Sequence, residues 1–418
     1  MSIRPILFVD HAYHSTTKSS QFFVDLLQED FELEFLDIDP SDNDNSACKA
    51  VEDLNLNHYS AVILWQIDYL AAYFLDRGCP TIVCPMYDGS GALDPLHWKS
   101  IENSLIFSFS LELHWKISQN SANSIYVRYF PPNPLQDKSF NTNNVPSSGL
   151  NVFYWERLPN SSINFRNICR LLEDLPIKTF HIHQVPDPGH TSTIIPAYTD
   201  KFDINVSTWF EKKSDLYELI AKCDLFIAPR YSEGIGMSFL EAMHLNCCVV
   251  AHDMSTHNEY IDNGLNGILV DFNNREMAIN LATEDIRMMA SKAQQDSINW
   301  RDLWINHYKQ IVRESINEYI DGFNSQVSSL NVRRFSRLAS LACAHKDWDR
   351  YWSSLRLRDR FLMPRSKVSS KLTEAHQLEL EGRYKESFDI YHQLHHESGH
   401  SYYEKFRDLL FKRSKNKF

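Results

Sequence analysis

Short apolar runs alternate with segments of helical period along the first third of the chain. Residues 6–9 (Ile-Leu-Phe-Val) form such a run, and 19–28 follow with Phe22, Phe23, Leu26 and Leu27 on one face. Residues 31–38 alternate as a second strand, 61–65 and 81–85 as a third and fourth, with a helix over 67–77 between them. Apolar runs at 105–109 and 125–130 complete this half. Strands alternating with helices predict a parallel, doubly wound sheet, because a parallel pair needs a crossover that the helix supplies. Ligands of such sheets bind beyond the carboxyl ends of the strands, so Asp10, His11, His14, Gln66, Tyr87 and Asp88 are the positions to inspect.

Residues 131–149 are rich in proline, asparagine and serine and carry no period, which marks a linker. The pattern then restarts. Strands are expected at 151–155, 178–184, 202–206, 224–229 and 247–251, with helices over 163–173, 214–222 and 237–245, and 274–322 reads as helical. The fold class is therefore α/β: one Rossmann-like domain over 1–130, a second over 150–322, and an all-helical module over 330–418.

The charge of −12, with a pI near 5.8, argues against a nucleic-acid partner, whose usual footprint is a basic surface. The eight cysteines form no C-x-x-C pair, so a reducing, cytoplasmic setting is expected rather than a disulfide or zinc scaffold. The longest apolar stretch, 59–75, is broken by Gln66 and Asp68 and falls short of a membrane span. Asp37-Ile38-Asp39 has the form of a metal-binding triplet, yet acidic residues closing an alternating strand are common. His181 and His183, like the histidines over 392–400, lack the carboxylate or cysteine spacing of a metal site. No metal and no cofactor are expected.

The chemistry concentrates in 224–271. A strand ending at Pro229 is followed by Ser232-Glu233-Gly234-Ile235-Gly236 and then a helix opening at Met237. Glycines permit close approach of backbone to a ligand, and the free amides of a helix start suit an anion. Glu233 and Glu241 bracket that anion site, and carboxylates suit the hydroxyls of a sugar. As a bare pair they read rather as surface charges, Glu233 on a loop and Glu241 on an exposed helix face. Context changes this: Pro229, Glu233-Gly234-Ile235-Gly236, Leu240-Glu241-Ala242-Met243, Val249-Val250, Glu259 and Gly264-Leu265-Asn266-Gly267 follow one another in order. The stretch resembles the E-x7-E region of glycosyltransferase family 4, retaining enzymes of the GT-B fold.

That resemblance implies a nucleotide-sugar donor in the second domain and a glycan, lipid-linked or protein-linked acceptor in the first. It implies Glu241 on the ribose, and Glu233 with the amides of Gly234, Ile235, Gly236 and Met237 on the sugar and phosphates. Arg157, closing the first strand of the second domain, stands where the family places a cation on the diphosphate. The family's second cation is replaced by Ser161-Ser162, so either Arg166 or Arg230 compensates or donor binding is weakened. The family's histidine after the fourth strand is also missing, so Asp88, together with His11 or His14, stands in the acceptor wall without a secure general base. An epimerase, an inverting transferase and a catalytically silent scaffold are the competing readings.

Residues 330–418 lie outside that resemblance. Ala375, Gly382, Tyr384, Ser387, Tyr391 and Leu394 fit the small and aromatic positions of a tetratricopeptide helix pair, a helical module packed on the transferase or a docking surface for a protein partner. The tail carries Lys412, Arg413, Lys415 and Lys417, for which solvated disorder competes with contact on anionic lipid at the inner face of a membrane.

Overall fold

The computed structural model describes residues 4–38, 51, 53–93, 95–119, 123–135, 149–187, 189–195 and 200–323, and in the C-terminal region 374–375, 378 and 383–398. Gly382, the basic tail and Asp39 lie outside the described residues, and so does most of the linker and of the helical module.

The first half holds six strands: β1 (Ile6–His11), β2 (Leu33–Ile38), β3 (Ala61–Trp65), β4 (Thr81–Cys84), β5 (Leu105–Ser108) and β6 (Asn123–Tyr126). They pair in the order β2-β1-β3-β4-β5-β6, all parallel. Central strands β3, β4 and β5 are buried along their whole length, which is why they read as continuous apolar runs rather than alternations. Edge strand β2 alternates and leaves Phe35 exposed. The helices described here are α1 (His14–Thr17), α2 (Gln21–Gln28), α3 (Ala71–Asp76), α4 (Tyr87–Ser90), α5 (Pro95–Ser100) and α6 (Leu111–Ser118). The helix expected over 67–77 begins as a 3-10 turn at Asp68–Leu70.

The second half repeats the plan with β7 (Leu150–Trp155), β8 (Ile177–His183), β9 (Asp203–Ser207), β10 (Leu225–Ile227), β11 (Cys248–His252) and β12 (Gly267–Val270). Their order is β12-β11-β10-β7-β8-β9, again parallel. The connecting helices are α7 (Phe165–Leu171), α8 (Lys213–Ile220), α9 (Met237–His244) and α10 (His257–Tyr260). After β12 come α11 (Thr283–Leu303), a π-helical segment Trp304–Tyr308 and α12 (Lys309–Gly322). Residues 274–282 are not helical, although Met277, Ile279 and Leu281 lie against the core of this half.

Chain order reverses between β7 and β10 in the second sheet and between β1 and β3 in the first, so each sheet has a switch point where a crevice opens at the strand ends. The two halves share one apolar cluster in which Trp304, buried at the π-helical turn, touches Phe22 and Tyr129 of the first half. Beyond it α12 packs on the first half: Tyr319 donates to Asn103 O at 2.7 Å, and Arg313 pairs with Asp30 at 2.8 Å. In the C-terminal region α13 (Tyr384–Ser398) is described, and Ala375, Ser387 and Tyr391 are fully buried.

Candidate active site

Of the three arginines singled out in the sequence, Arg157 and Arg230 emerge at the switch point of the second sheet, while Arg166 is exposed on α7. Arg157 follows β7, Arg230 follows β10, and these strands are neighbours in parallel register. The two guanidiniums are joined by a residue that the sequence reading missed, Asp187. Its Oδ1 accepts from Arg157 Nε at 2.8 Å and Nη2 at 2.7 Å, and its Oδ2 accepts from Arg230 Nη2 at 2.5 Å. Arg157 also lies over the Trp155 ring, 5.2 Å from its centroid. The sequence signal for Asp187 was its place after β8, in the turn-forming run Pro186-Asp187-Pro188-Gly189, without any motif.

Across the crevice, Arg230 Nη1 reaches Asp88 Oδ2 at 3.3 Å, so the expected acceptor-wall aspartate forms an ion pair between the halves. Burial pushes the Asp88 carboxyl above its usual range, against the opposing pull of Arg230.

Glu233 sits beside this cluster, 8% exposed, with Oε1 buried and without a hydrogen-bond partner. Desolvation pushes its carboxyl up to about 7, although Arg230 and Arg157 favour the charged form. Arg230 Nε is likewise buried and unpaired. A buried acceptor and a buried donor left without partners are costly in a folded core, and a ligand carrying both a hydroxyl and an anionic oxygen would satisfy the two.

Glu241 points elsewhere. It lies in the second turn of α9, buried, and its Oε1 accepts from Lys213 Nζ at 2.9 Å and from Tyr217 OH at 2.7 Å, both on α8. The two glutamates therefore stand in separate settings on either side of the α9 N-terminus, whose first-turn amides have no intrahelical partner.

The glycines before α9 also have structural constraints of their own. A Cβ on Gly234 would lie 2.7 Å from the Cβ of Met86 in the first half, so this glycine lets the two halves meet. Gly236 adopts φ +81, and a Cβ there would strike the Phe239 ring. Ile235 is buried, and its carbonyl faces the Thr256 hydroxyl at 3.4 Å. Met237 opens α9.

In the first half, His11 is half-buried and its Nδ1 accepts from the Tyr13 amide at 3.3 Å. The tighter arrangement belongs to His14. Its Nδ1 lies 2.6 Å from Asp10 Oδ1, and Asp10 Oδ2 accepts from Ser20 Oγ at 2.6 Å. Both residues of the pair are buried, at the end of β1 where the first sheet changes direction.

Glu259, present in the motif without an assigned role, holds the halves together. Its carboxylate accepts from Ser110 Oγ at 2.8 Å and from the Leu111 amide at 2.7 Å, capping α6 of the first half. Its carbonyl accepts from Arg128 at 2.8 Å, and that guanidinium lies over the rings of Tyr260 and Trp300.

Two parallel Rossmann-like sheets facing each other at their carboxyl ends define the GT-B fold. Residues 203–293 match the family described as glycosyl transferases group 1. Over 94 residues the chain is 31% identical to N,N'-diacetylbacillosaminyl-diphospho-undecaprenol alpha-1,3-N-acetylgalactosaminyltransferase of Campylobacter jejuni, which is 21% of this chain and 25% of that protein. The match thus spans a quarter of that relative's length. In structure the chain is similar to sucrose-phosphate synthase of Thermosynechococcus elongatus, with a TM-score of 0.56 at 12% identity over 75% of this chain and all of that one. It is similar too to Anabaena Alr3699/HepE in complex with UDP, with a TM-score of 0.51 at 16% identity over the same shares.

Proposed function

We propose that the protein is a glycosyltransferase that moves a sugar from a nucleoside-diphosphate donor to a hydroxyl of a glycan, lipid-linked or protein-linked acceptor, with retention at the anomeric carbon. The observation that carries this reading is that Glu233 Oε1, a buried acceptor, and Arg230 Nε, a buried donor, each lack a partner, with Arg230 bridged to Arg157 through Asp187. A sugar diphosphate supplies what each lacks: a hydroxyl to donate to Glu233 and phosphate oxygens to accept from the arginines. Glu241 takes the ribose hydroxyls, with Lys213 and Tyr217 holding its carboxylate in place.

Two guanidiniums neutralise the leaving diphosphate by charge-assisted hydrogen bonds, the task a divalent cation performs elsewhere. In the transfer, the bond from the anomeric carbon to the phosphate oxygen breaks and the acceptor oxygen bonds to that carbon on the same face. The acceptor proton passes to the departing phosphate oxygen. Asp88 binds a hydroxyl from the opposite wall. The Campylobacter relative, an undecaprenyl-diphosphate-saccharide N-acetylgalactosaminyltransferase, supports a saccharide on a lipid diphosphate as acceptor. A place at the inner face of a membrane accords with that, and no described helix is long and apolar enough to cross one.

Calorimetric titration with a panel of nucleoside diphosphates, followed by turnover of the matching sugar donors, tests the reading. Binding by at least one diphosphate, with sugar transfer dependent on an acceptor, is the expected result. Absence of binding by all would leave a silent scaffold, and turnover of donor without acceptor would indicate an epimerase.

One observation favours a second reading, inversion. His14 is oriented by Asp10 in the manner of a general base, because Nδ1–H held by a carboxylate leaves Nε2 free to take a proton. Proton NMR of the newly formed glycosidic bond separates the two. In the retaining reading His14→Gln raises the acceptor KM alone, whereas in the inverting reading it abolishes turnover.

A further inference from the structure

The link between Arg157 and Arg230 does not follow from their separate positions. Two guanidiniums at the ends of adjacent strands repel each other, and without a bridging anion they would turn apart into solvent. Asp187 accepts from both, on different oxygens: Oδ1 takes the Nε/Nη2 edge of Arg157 and Oδ2 takes Nη2 of Arg230. This geometry leaves Arg157 Nη1 with no partner among the described residues, and Arg230 Nε is buried and unpaired. One donor on each cation thus remains for a ligand.

The carboxylate is itself well held. The Asp187 amide donates to Arg157 O at 3.0 Å, and its carbonyl accepts from the His190 amide at 3.0 Å. A few residues further on, Thr193 donates its amide and hydroxyl to the fully buried Glu156, which also accepts from Gln184 Nε2 at 2.9 Å. The chain after β8 is therefore tied at Gln184, Asp187 and Thr193 to Glu156 and Arg157, the turn that follows β7.

We propose that Asp187 is the positioning residue that joins Arg157 and Arg230 into one diphosphate clamp, setting the spacing and rotation of the two guanidiniums so that their remaining donors meet a pyrophosphate group. This rests on the donor reading above and goes further, assigning diphosphate selectivity to a residue outside the E-x7-E region. The competing role for the same carboxylate is that of a stand-in, occupying the phosphate position until the ligand displaces it. The two roles predict opposite signs.

Asp187→Asn separates them. An asparagine has one carbonyl oxygen, so it accepts from one arginine while presenting its own NH2 to the other, and the pair is uncoupled with little change of shape. Inorganic pyrophosphate and the nucleoside diphosphate panel are titrated into full-length wild type and D187N, each matched for thermal unfolding midpoint, alongside the corresponding free nucleosides. The expected result is a tenfold or greater loss of affinity for pyrophosphate and for nucleoside diphosphate in D187N, with nucleoside affinity held. If wild type binds pyrophosphate through Asp187 but binds no nucleoside diphosphate, the clamp stands and the donor reading falls. Unchanged or tighter pyrophosphate binding in D187N, or none in wild type, overturns the proposal.

Discussion

Gly234 of the second half and Met86 of the first meet so closely that a Cβ at position 234 would lie 2.7 Å from the methionine Cβ. The contact sits one residue from Glu233, so the fit of the two halves and the placement of the candidate sugar-binding carboxylate are one structural fact. Gly234→Ala should hold the halves apart. Overpacking of this kind costs about 1–3 kcal/mol, roughly a five- to 150-fold loss of turnover if transfer needs the closed arrangement. Nucleotide affinity, set within the second half, should change little. Steady-state kinetics beside calorimetry check this, and an unchanged turnover would mean that transfer does not need this contact.

Glu259→Gln should loosen the halves without touching the donor. The carboxylate accepts from Ser110 Oγ and the Leu111 amide at the start of α6, and a capping interaction contributes about 0.5–2 kcal/mol. Small-angle scattering should report a larger radius of gyration, and the unfolding midpoint should fall. Nucleoside diphosphate affinity should stay within about twofold of wild type, a difference of well under 1 kcal/mol.

The Glu233 carboxyl, pushed up to about 7 by burial, makes stability depend on pH. Its folded pKa lies above the unfolded value of about 4.5, so the folded state binds the extra proton. The associated stability is fully present below pH 4.5 and is lost as pH rises through about 7. Arg230, Arg157, Asp88 and Asp187 face the same group, and their charges are part of that balance. Glu233→Gln should flatten this part of the profile and leave the variant more stable than wild type at pH 8, by at most about 3 kcal/mol. Urea melts at stepped pH measure it. The same variant should bind nucleoside diphosphate nearly as wild type does while losing turnover, since its partner is the transferred sugar.

Glu241→Gln should fail in the opposite way. It removes a charged acceptor and leaves the Lys213 ammonium and the Tyr217 hydroxyl facing a neutral amide. A hydrogen bond to a charged group is worth about 1.5–3 kcal/mol, roughly ten- to a hundredfold in affinity. Nucleoside and nucleoside diphosphate should weaken by a similar factor. Loss of affinity in Glu233→Gln with affinity kept in Glu241→Gln would exchange the roles of the two residues.

The alternation of apolar runs with helical segments was sufficient to read two parallel sheets, because hydrophobic period is a property of residues next to one another in the chain. The same local reading marked the glycine loop over 232–236 and the helix start after it as an anion site, whereas Arg157, Arg230, Glu233 and Glu241 stood out through the family resemblance of the stretches that hold them. It read residues 274–282 as helix because apolar positions recur there, whereas Met277, Ile279 and Leu281 meet the core from a non-helical stretch. What only tertiary structure decided are the partners. Asp88 meets Arg230 from 142 positions away, and Glu259 meets Ser110 from 149. Asp187 bridges two arginines whose adjacency follows from β7 and β10 being sheet neighbours. The ring of His14 is held because Asp10 at the end of β1 reaches it, and Gly234 is small because Met86 approaches it from the other half. These contacts arise from strand order and from how the two sheets face each other, quantities to which no neighbouring residue in the chain responds.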